Sequence, residues 1–172
     1  IEKSIKASYA LGGITAHMVK MHEEGLIKRL IDVQSFDKVA AESVKNNEFH
    51  KEVSASEYAA ADEQGSATHY LDIVILSALE VDVDFNVNVL VGSDGIIRGA
   101  IGGHPDTAAD SALSIIVCPL LRGRIPCVVD KVTTLITPGA TVDVVVTEYG
   151  IAVNPRRPEV AERLRAAGLK IV

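Results

Sequence analysis

The sequence predicts an α/β fold with a mainly parallel sheet, and three observations carry that prediction. Short, nearly continuous apolar runs at Ile73 to Leu79, Leu113 to Leu121 and Val142 to Thr147 have the pattern of strands covered on both faces. Segments with apolar residues at helical spacing surround them, at Ile14 to Glu24, Phe36 to Asn46 and Pro158 to Ala167. Gly, Pro and Asn mark the joints, as at Gly25, Asn46-Asn47, Pro138-Gly139 and Gly168. Strands that alternate with helices are joined by crossovers, and crossovers make strands parallel.

Taken in order, the chain opens on a helix-like or extended piece that runs into Ser8 to Leu11 and the pair Gly12-Gly13. Ile14, Met18 and Met21, flanked by Val19, then recur at helical spacing; Thr15 is placed to cap this helix and Gly25 to end it. Leu26 to Val33 fits either a short helix or a buried strand. Ser35 opens the next helix, with Phe36, Val39, Ala40 and Val44 along one face. Glu48 to His69 reads as a loop with one helical turn around Ser56 to Ala61. Beyond the strand at Ile73 to Leu79, Phe85 to Arg98 carries apolar residues on either side of Gly92-Ser93-Asp94-Gly95, the pattern of two short strands joined by a tight reversal. Arg122-Gly123-Arg124 separates the strand at Leu113 to Leu121 from a β-branched run, Pro126 to Ile136, suited to a strand or twisted ribbon. Asn154-Pro155 is a loop, and Pro158 sits at the first turn of the last helix.

A chain of 172 residues suits one domain. Seventeen basic against 23 acidic residues give a net charge of -6, which argues against a nucleic-acid footprint or an anionic membrane surface. No apolar run reaches the roughly 18 residues of a membrane span, and the first residues lack the pattern of a secretory signal, so a cytoplasmic location is expected. Ile1 is not an initiator Met and Leu169 to Val172 looks like a strand just beginning, so both ends read as cut. Cys118 and Cys127 lack C-x-x-C spacing and read as buried free thiols. The five histidines show neither H-x-x-x-H nor H-E-x-x-H, and no metal is expected. Walker and G-x-G-x-x-G patterns are likewise missing, which weakens nucleotide hydrolysis and nicotinamide binding as functions.

The stretch with chemical content is Gly99 to Ala109, G-A-I-G-G-H-P-D-T-A-A, set between two apolar runs. Gly102 and Gly103 have no Cβ, so the backbone there can take positive φ and press its amides on a ligand. Pro105, Asp106 and Thr107 then read as a helix start, where unpaired amides favour negative charge. Together these features suit a cradle for a carboxylate or a forming oxyanion, although Gly-Gly between strands serves equally as a bulge or turn. Asn86 and Asn88 share one strand face, either as cleft hydrogen-bonding groups or as strand-edge packing. Arg98, Arg122, Arg124, Lys131, Arg156 and Arg157 lie at strand ends or in loops, where α/β sheets place ligands; Arg98 and Arg124 flank the glycine segment and come first. Glu148 in T-E-Y-G is either a solvated turn residue or a base or nucleophile.

G-A-I-G-G-H-P-D-T-A-A followed by S-A-L-S-I-I-V resembles the glycine motif of the CoA-transferase superfamily, and among its members most resembles the citrate lyase alpha subunit family. A-L-G-G-I-T-A-H-M-V, L-I-D-V-Q-S-F-D, D-F-N-V-N-V-L-V-G-S-D-G, R-G-R-I-P and V-D-K-V-T-T-L-I-T-P-G-A-T-V-D-V-V-V-T-E-Y-G-I-A-V-N-P fit the same family in the same order. The resemblance therefore spans nearly the whole chain. It implies the NagB/RpiA/CoA-transferase-like three-layer α/β fold with a mainly parallel sheet, from the later part of a longer polypeptide. It also implies citrate CoA-transfer, in which a citrate carboxylate replaces acetate on the thioester of an acyl-carrier protein.

In that setting Gly102, Gly103 and the amide of His104 are the expected oxyanion donors, with Asp106 orienting the loop. Gly12, Gly13, Thr15, Asn86, Asn88, Arg98 and Arg124 are the expected substrate-binding residues. No cofactor is expected on the chain itself; the substrate is an acyl thioester of CoA or of a phosphopantetheine-type group on the carrier. The implied partners are the beta (lyase) and gamma (acyl-carrier) subunits of citrate lyase, in an oligomer that handles citrate and acetate. His17 stands where the neighbouring acetate and 4-hydroxybutyrate CoA-transferases carry a glutamate that becomes an acyl anhydride and thioester. Imidazole cannot take that part, which points to direct reaction between bound substrates through a mixed anhydride; His17 itself reads as a solvated or supporting residue. Two rival readings are an acetyl-CoA hydrolase or acetate CoA-transferase, favoured by R-G-R-I-P and T-E-Y-G-I-A, and a non-catalytic binding or assembly domain of the same fold.

Overall fold

The computed structural model describes residues 5–60 and 65–172. Their contacts group into two compact units, one ending at Thr68 and the other running from His69 to Val172.

The first unit alternates strand and helix: β1 (Ala10–Ile14), α1 (Ala16–Glu23), β2 (Leu30–Ser35), α2 (Lys38–Asn46), β3 (His50–Glu52) and α3 (Ala55–Tyr58). Its sheet has the order β1-β2-β3 and is parallel throughout. Ile14, Val19, Ile27, Leu30 and Ala40 form the core. Ile14 closes β1 instead of opening a helix: it is fully buried, and the helix starts two residues later. Thr15 stands at the cap position of α1 but its hydroxyl makes no capping bond. Asp37 does that work for two helices, accepting from the Ala16 amide at 2.6 Å and from the Ala40 amide at 2.9 Å. Those backbone donors, Ala40 first, hold its carboxyl below the usual aspartate range. Because Asp37 caps α2, Phe36 falls outside the helix and its exposed ring lies over Gly13. The segment at Leu26 to Val33 resolves as the approach to β2, and the expected turn around Ser56 as α3, capped reciprocally by Ser54 and Glu57. Ala61 lies outside the described residues.

The second unit contains β4 (Val74–Ser77), β5 (Glu80–Asp82), β6 (Val87–Asn88), α4 (His104–Asp110), β7 (Ser114–Val117), β8 (Leu121–Arg122), β9 (Ile125–Pro126), β10 (Val128–Val129), β11 (Val144–Thr147), β12 (Gly150–Val153) and α5 (Pro158–Ala166). Its main sheet has the order β12-β11-β7-β4, with β4, β7 and β11 parallel and β12 returning antiparallel. A smaller sheet has the order β10-β5-β6, and β8 and β9 make a hairpin. The apolar runs are shorter as strands than expected; β11 starts covered on both faces, with Val144 and Val145 both buried, whereas β4 and β7 are covered on one face only. Leu76, Ile116 and Val145 are matched across the sheet and pack into the core with Val81, Val87 and Cys127, whereas Ile75 and Val117, on the other face, stay exposed.

Cys118 and Cys127 are free, buried thiols, as expected, and burial pushes the Cys118 thiol up to about 11. The β-branched run after Pro126 is only briefly strand. Its continuation is held by Glu80, which accepts from the Thr133 amide at 2.8 Å and the Thr133 hydroxyl at 2.9 Å. The reversal expected at Gly92 to Gly95 is present, closed by Gly92 N–H to Ile96 O at 2.8 Å and a single bridge between Val91 and Ile97.

Candidate functional site

The C-terminal end of β4, the segment after the 92–95 reversal, the start of α4 and the β8 hairpin together border a cavity of about 320 Å³. Its wall includes Ser77 at the end of β4 and Ala78 just after it, Arg98, Gly99 and Ala100, His104, and Arg122. A neighbouring cavity of about 130 Å³ shares Arg98 and Arg122 and reaches Cys127. Open α/β sheets characteristically bind ligands outside the carboxyl ends of their strands.

Gly99 can hold this wall because it has no side chain. A Cβ there would lie 2.3 Å from the Val89 carbonyl oxygen, so the segment runs flush against the chain beside β6. Arg98 and Gly99 both donate to Leu90 O, at 2.8 and 3.3 Å. Further on, Gly102 takes φ of +52°, and the chain closes a turn in which the His104 amide donates to Ile101 O at 3.2 Å. That amide, expected as an oxyanion donor, is therefore already engaged. Among the described residues the amides of Ala100, Gly102 and Gly103 find no acceptor. Ala100 lies in the cavity wall, whereas Gly102 and Gly103 lie just beyond it. Asp106 sits in the first turn of α4 and its carboxylate bonds no described residue, so it does not fasten the loop.

The imidazole of His104 is buried and doubly bonded. Nε2 lies 2.9 Å from Ser77 O, and Nδ1 lies 2.6 Å from Thr137 Oγ1. Because a carbonyl only accepts, Nε2 carries the proton and Nδ1 accepts from the threonine hydroxyl. Burial holds the group below the ordinary histidine range, so it is neutral and has no lone pair left for a reacting proton. It serves as a strut between β4 and the start of α4.

His50, in the first unit, is also held low by burial, against the opposing pull of Asp32 3.3 Å away. Above about pH 6.5 both histidines are neutral whether the chain is folded or not. Below it the unfolded chain binds protons that the folded chain refuses, so stability falls with pH. Thermal melts should lose Tm between about pH 6.5 and 5, with a shallower slope for His104→Gln; an equal slope in that variant would contradict the assignment.

The remaining expected site residues divide clearly. Arg98 borders the cavity and pairs with Asp94, whose carboxyl is kept below the usual range by the Ile96 amide and by Arg98. Arg124, past the Gly123 turn, is exposed and borders neither cavity; Arg122 takes the place expected for it. Asn88 is fully buried and its amide is saturated: it donates to Glu80 and Val91 O and accepts from the Leu90 and Val91 amides. Asn86 donates to Asp82 and accepts from the Gly139 amide at 2.9 Å, steadying Phe85, whose φ of 67° a non-glycine residue rarely adopts. Gly12, Gly13 and Thr15 belong to the first unit, where Gly12 makes room for Tyr58 and Gly13 for Phe36. His17 is exposed on α1. Glu148 accepts the Leu120 amide at 2.9 Å and acts as a turn residue.

Sequence reasoning missed Ala100 and undervalued Arg122. The R-G-R signal was present, but which arginine faces the cavity follows from the hairpin register that pairs Arg122 with Ile125.

The sequence profile of the family described as citrate lyase, alpha subunit (CitF), matches residues 1–172. The citrate lyase alpha chain of Escherichia coli K12 is 62% identical over 170 residues, 99% of this chain and 33% of that protein. The alpha subunit of citrate lyase from Streptococcus mutans, solved in complex with citrate, superposes with a TM-score of 0.94 at 53% identity, over 99% of this chain and 34% of that one. A 4-hydroxybutyrate CoA-transferase from Porphyromonas gingivalis shares the fold, with a TM-score of 0.61 at 18% identity over 95% of this chain and 53% of that one. The chain thus spans about a third of the length of the curated relatives it matches. With its profile matched from end to end and its fold shared with the Streptococcus mutans protein, the chain belongs to the citrate lyase alpha subunit family.

Proposed function

We propose that this chain forms part of a citrate CoA-transferase, exchanging acetyl for citryl on an acyl-carrier thioester in a complex with lyase and acyl-carrier subunits. The observation that carries this reading is the cavity at the end of β4, whose wall includes Arg98, Arg122 and Ala100, the last with an amide that finds no acceptor among the described residues. A citrate carboxylate oxygen attacks the acetyl carbonyl, the C–S bond breaks, and a mixed citryl–acetyl anhydride and a thiolate result. The thiolate then attacks the citryl carbonyl and acetate leaves. Thioester and acid enter, thioester and acid leave, so the net free-energy change is small and the barrier lies in the charge that gathers on the carbonyl oxygen. One fixed backbone donor at such an oxygen contributes about 3 to 4 kcal/mol. Gly102, Gly103 and Ala100 supply amides free to act this way, and Arg98 and Arg122 supply charge for an anionic acceptor.

The full-length polypeptide, given acetyl-CoA and citrate, should release acetate in a citrate-dependent reaction, and Ala100→Pro, which removes the N–H in the cavity wall, should lower kcat by about 10²- to 10³-fold. Transfer that survives the proline removes the Ala100 amide from the mechanism. Turnover with water or succinate but not with citrate indicates a hydrolase or acetate CoA-transferase, and citrate binding without turnover indicates a binding domain.

A further inference from the structure

The geometry points to Arg122 as a specificity-determining residue that, together with Arg98, holds a non-reacting carboxylate of a di- or tricarboxylate acceptor. This inference rests on the transferase reading. Arg122 Nη2 donates to Ala78 O at 2.9 Å, which pins the guanidinium at the end of β4 and leaves its other N–H groups for a ligand. It borders both cavities, and so does Arg98. The two arginines differ in one respect. Arg98 already has the Asp94 carboxylate, whereas Arg122 pairs with no carboxylate among the described residues. Glu80 borders only the smaller cavity, where its oxygens accept from Asn88 and Thr133. The wall of the larger cavity carries no carboxylate, so an anion entering there meets Arg122 as a guanidinium with no carboxylate partner among the described residues.

Chemistry decides which carboxylate belongs there. A carboxylate gripped by two guanidinium groups has its lone pairs tied up and is a poor nucleophile, so the clamp suits a carboxylate other than the attacking one. The site then favours acceptors with two or more carboxylates over acetate.

The test uses the full-length polypeptide. Arg122→Met, which keeps the apolar stem, should raise KM for citrate about 10- to 100-fold and weaken citrate binding in calorimetry by the same factor. KM for acetyl-CoA should hold, Arg122→Lys should recover part of the loss, and the exposed helix variant Arg165→Met should match the parent. Exchange of labelled acetate into acetyl-CoA, which involves a single carboxylate, should be unaffected by Arg122→Met. An unchanged citrate KM and affinity, or equal losses with citrate and acetate, overturns the clamp. Should the parent bind citrate without transferring acetyl, the transferase reading fails, while the calorimetric comparison still decides the clamp.

Discussion

Replacing Gly99 by alanine should cost both stability and activity. The new Cβ would sit 2.3 Å from the Val89 carbonyl oxygen, and that oxygen belongs to backbone, not to a side chain that can swing away. Either the 98–100 segment or the chain beside β6 must retreat by several tenths of an ångström, at about 1 to 3 kcal/mol for overpacking a tight contact. The same retreat moves Arg98 and Ala100, both in the cavity wall. Misplacing positioning groups by about 1 Å can cost about 10²-fold in rate. We therefore expect a lowered Tm and, for the proposed transfer by the full-length polypeptide, a kcat/KM for citrate about 10²-fold below the parent. Gly168→Ala provides the contrast: its backbone is left-handed, at φ +80°, but a Cβ there meets nothing within 4 Å. It should lose about 1 kcal/mol of stability and none of the activity. A Gly99→Ala protein with parental Tm and kinetics would show that the close approach to Val89 is unimportant.

Much of this architecture was legible in the sequence because strand and helix patterns are local. The apolar runs located β4, β7 and β11, and the glycine stretch located the turn before α4. The errors arose where a residue's role depends on a distant partner. Ile14 shares helical spacing with Met18 and Met21, yet pairing of β1 with β2 draws it into the core as a strand end. Asn86 and Asn88 alternate as a cleft-facing pair would, but their partners Asp82 and Glu80 come from β5, a strand too short to stand out among charged residues. β12 follows Glu148-Tyr149, which reads as loop, and forms only because β11 offers it an edge. The site was legible to the same extent. Arg98 is legible as an arginine beside the glycine segment, and it borders the cavity. The His104 amide instead closes a turn onto Ile101 O, and nothing local announces that Ser77 and Thr137 hold the imidazole.

The second large effect concerns covalent chemistry. In the proposed reaction transfer runs between the two substrates, polarised by backbone amides: His17 is exposed on α1 and carries no carboxylate, His104 is locked as a neutral strut, and Glu148 is engaged at a turn. An enzyme-bound acyl thioester would be reduced by borohydride and the enzyme lost with it; a substrate-to-substrate reaction leaves nothing on the protein to reduce. The decisive measurement is acetyl transfer to citrate by the full-length polypeptide after it has been loaded with acyl thioester and treated with borohydride. Activity should equal that of untreated enzyme, with no modified residue by mass spectrometry; loss of activity with a glutamate recovered as its reduced alcohol would contradict direct transfer between the substrates.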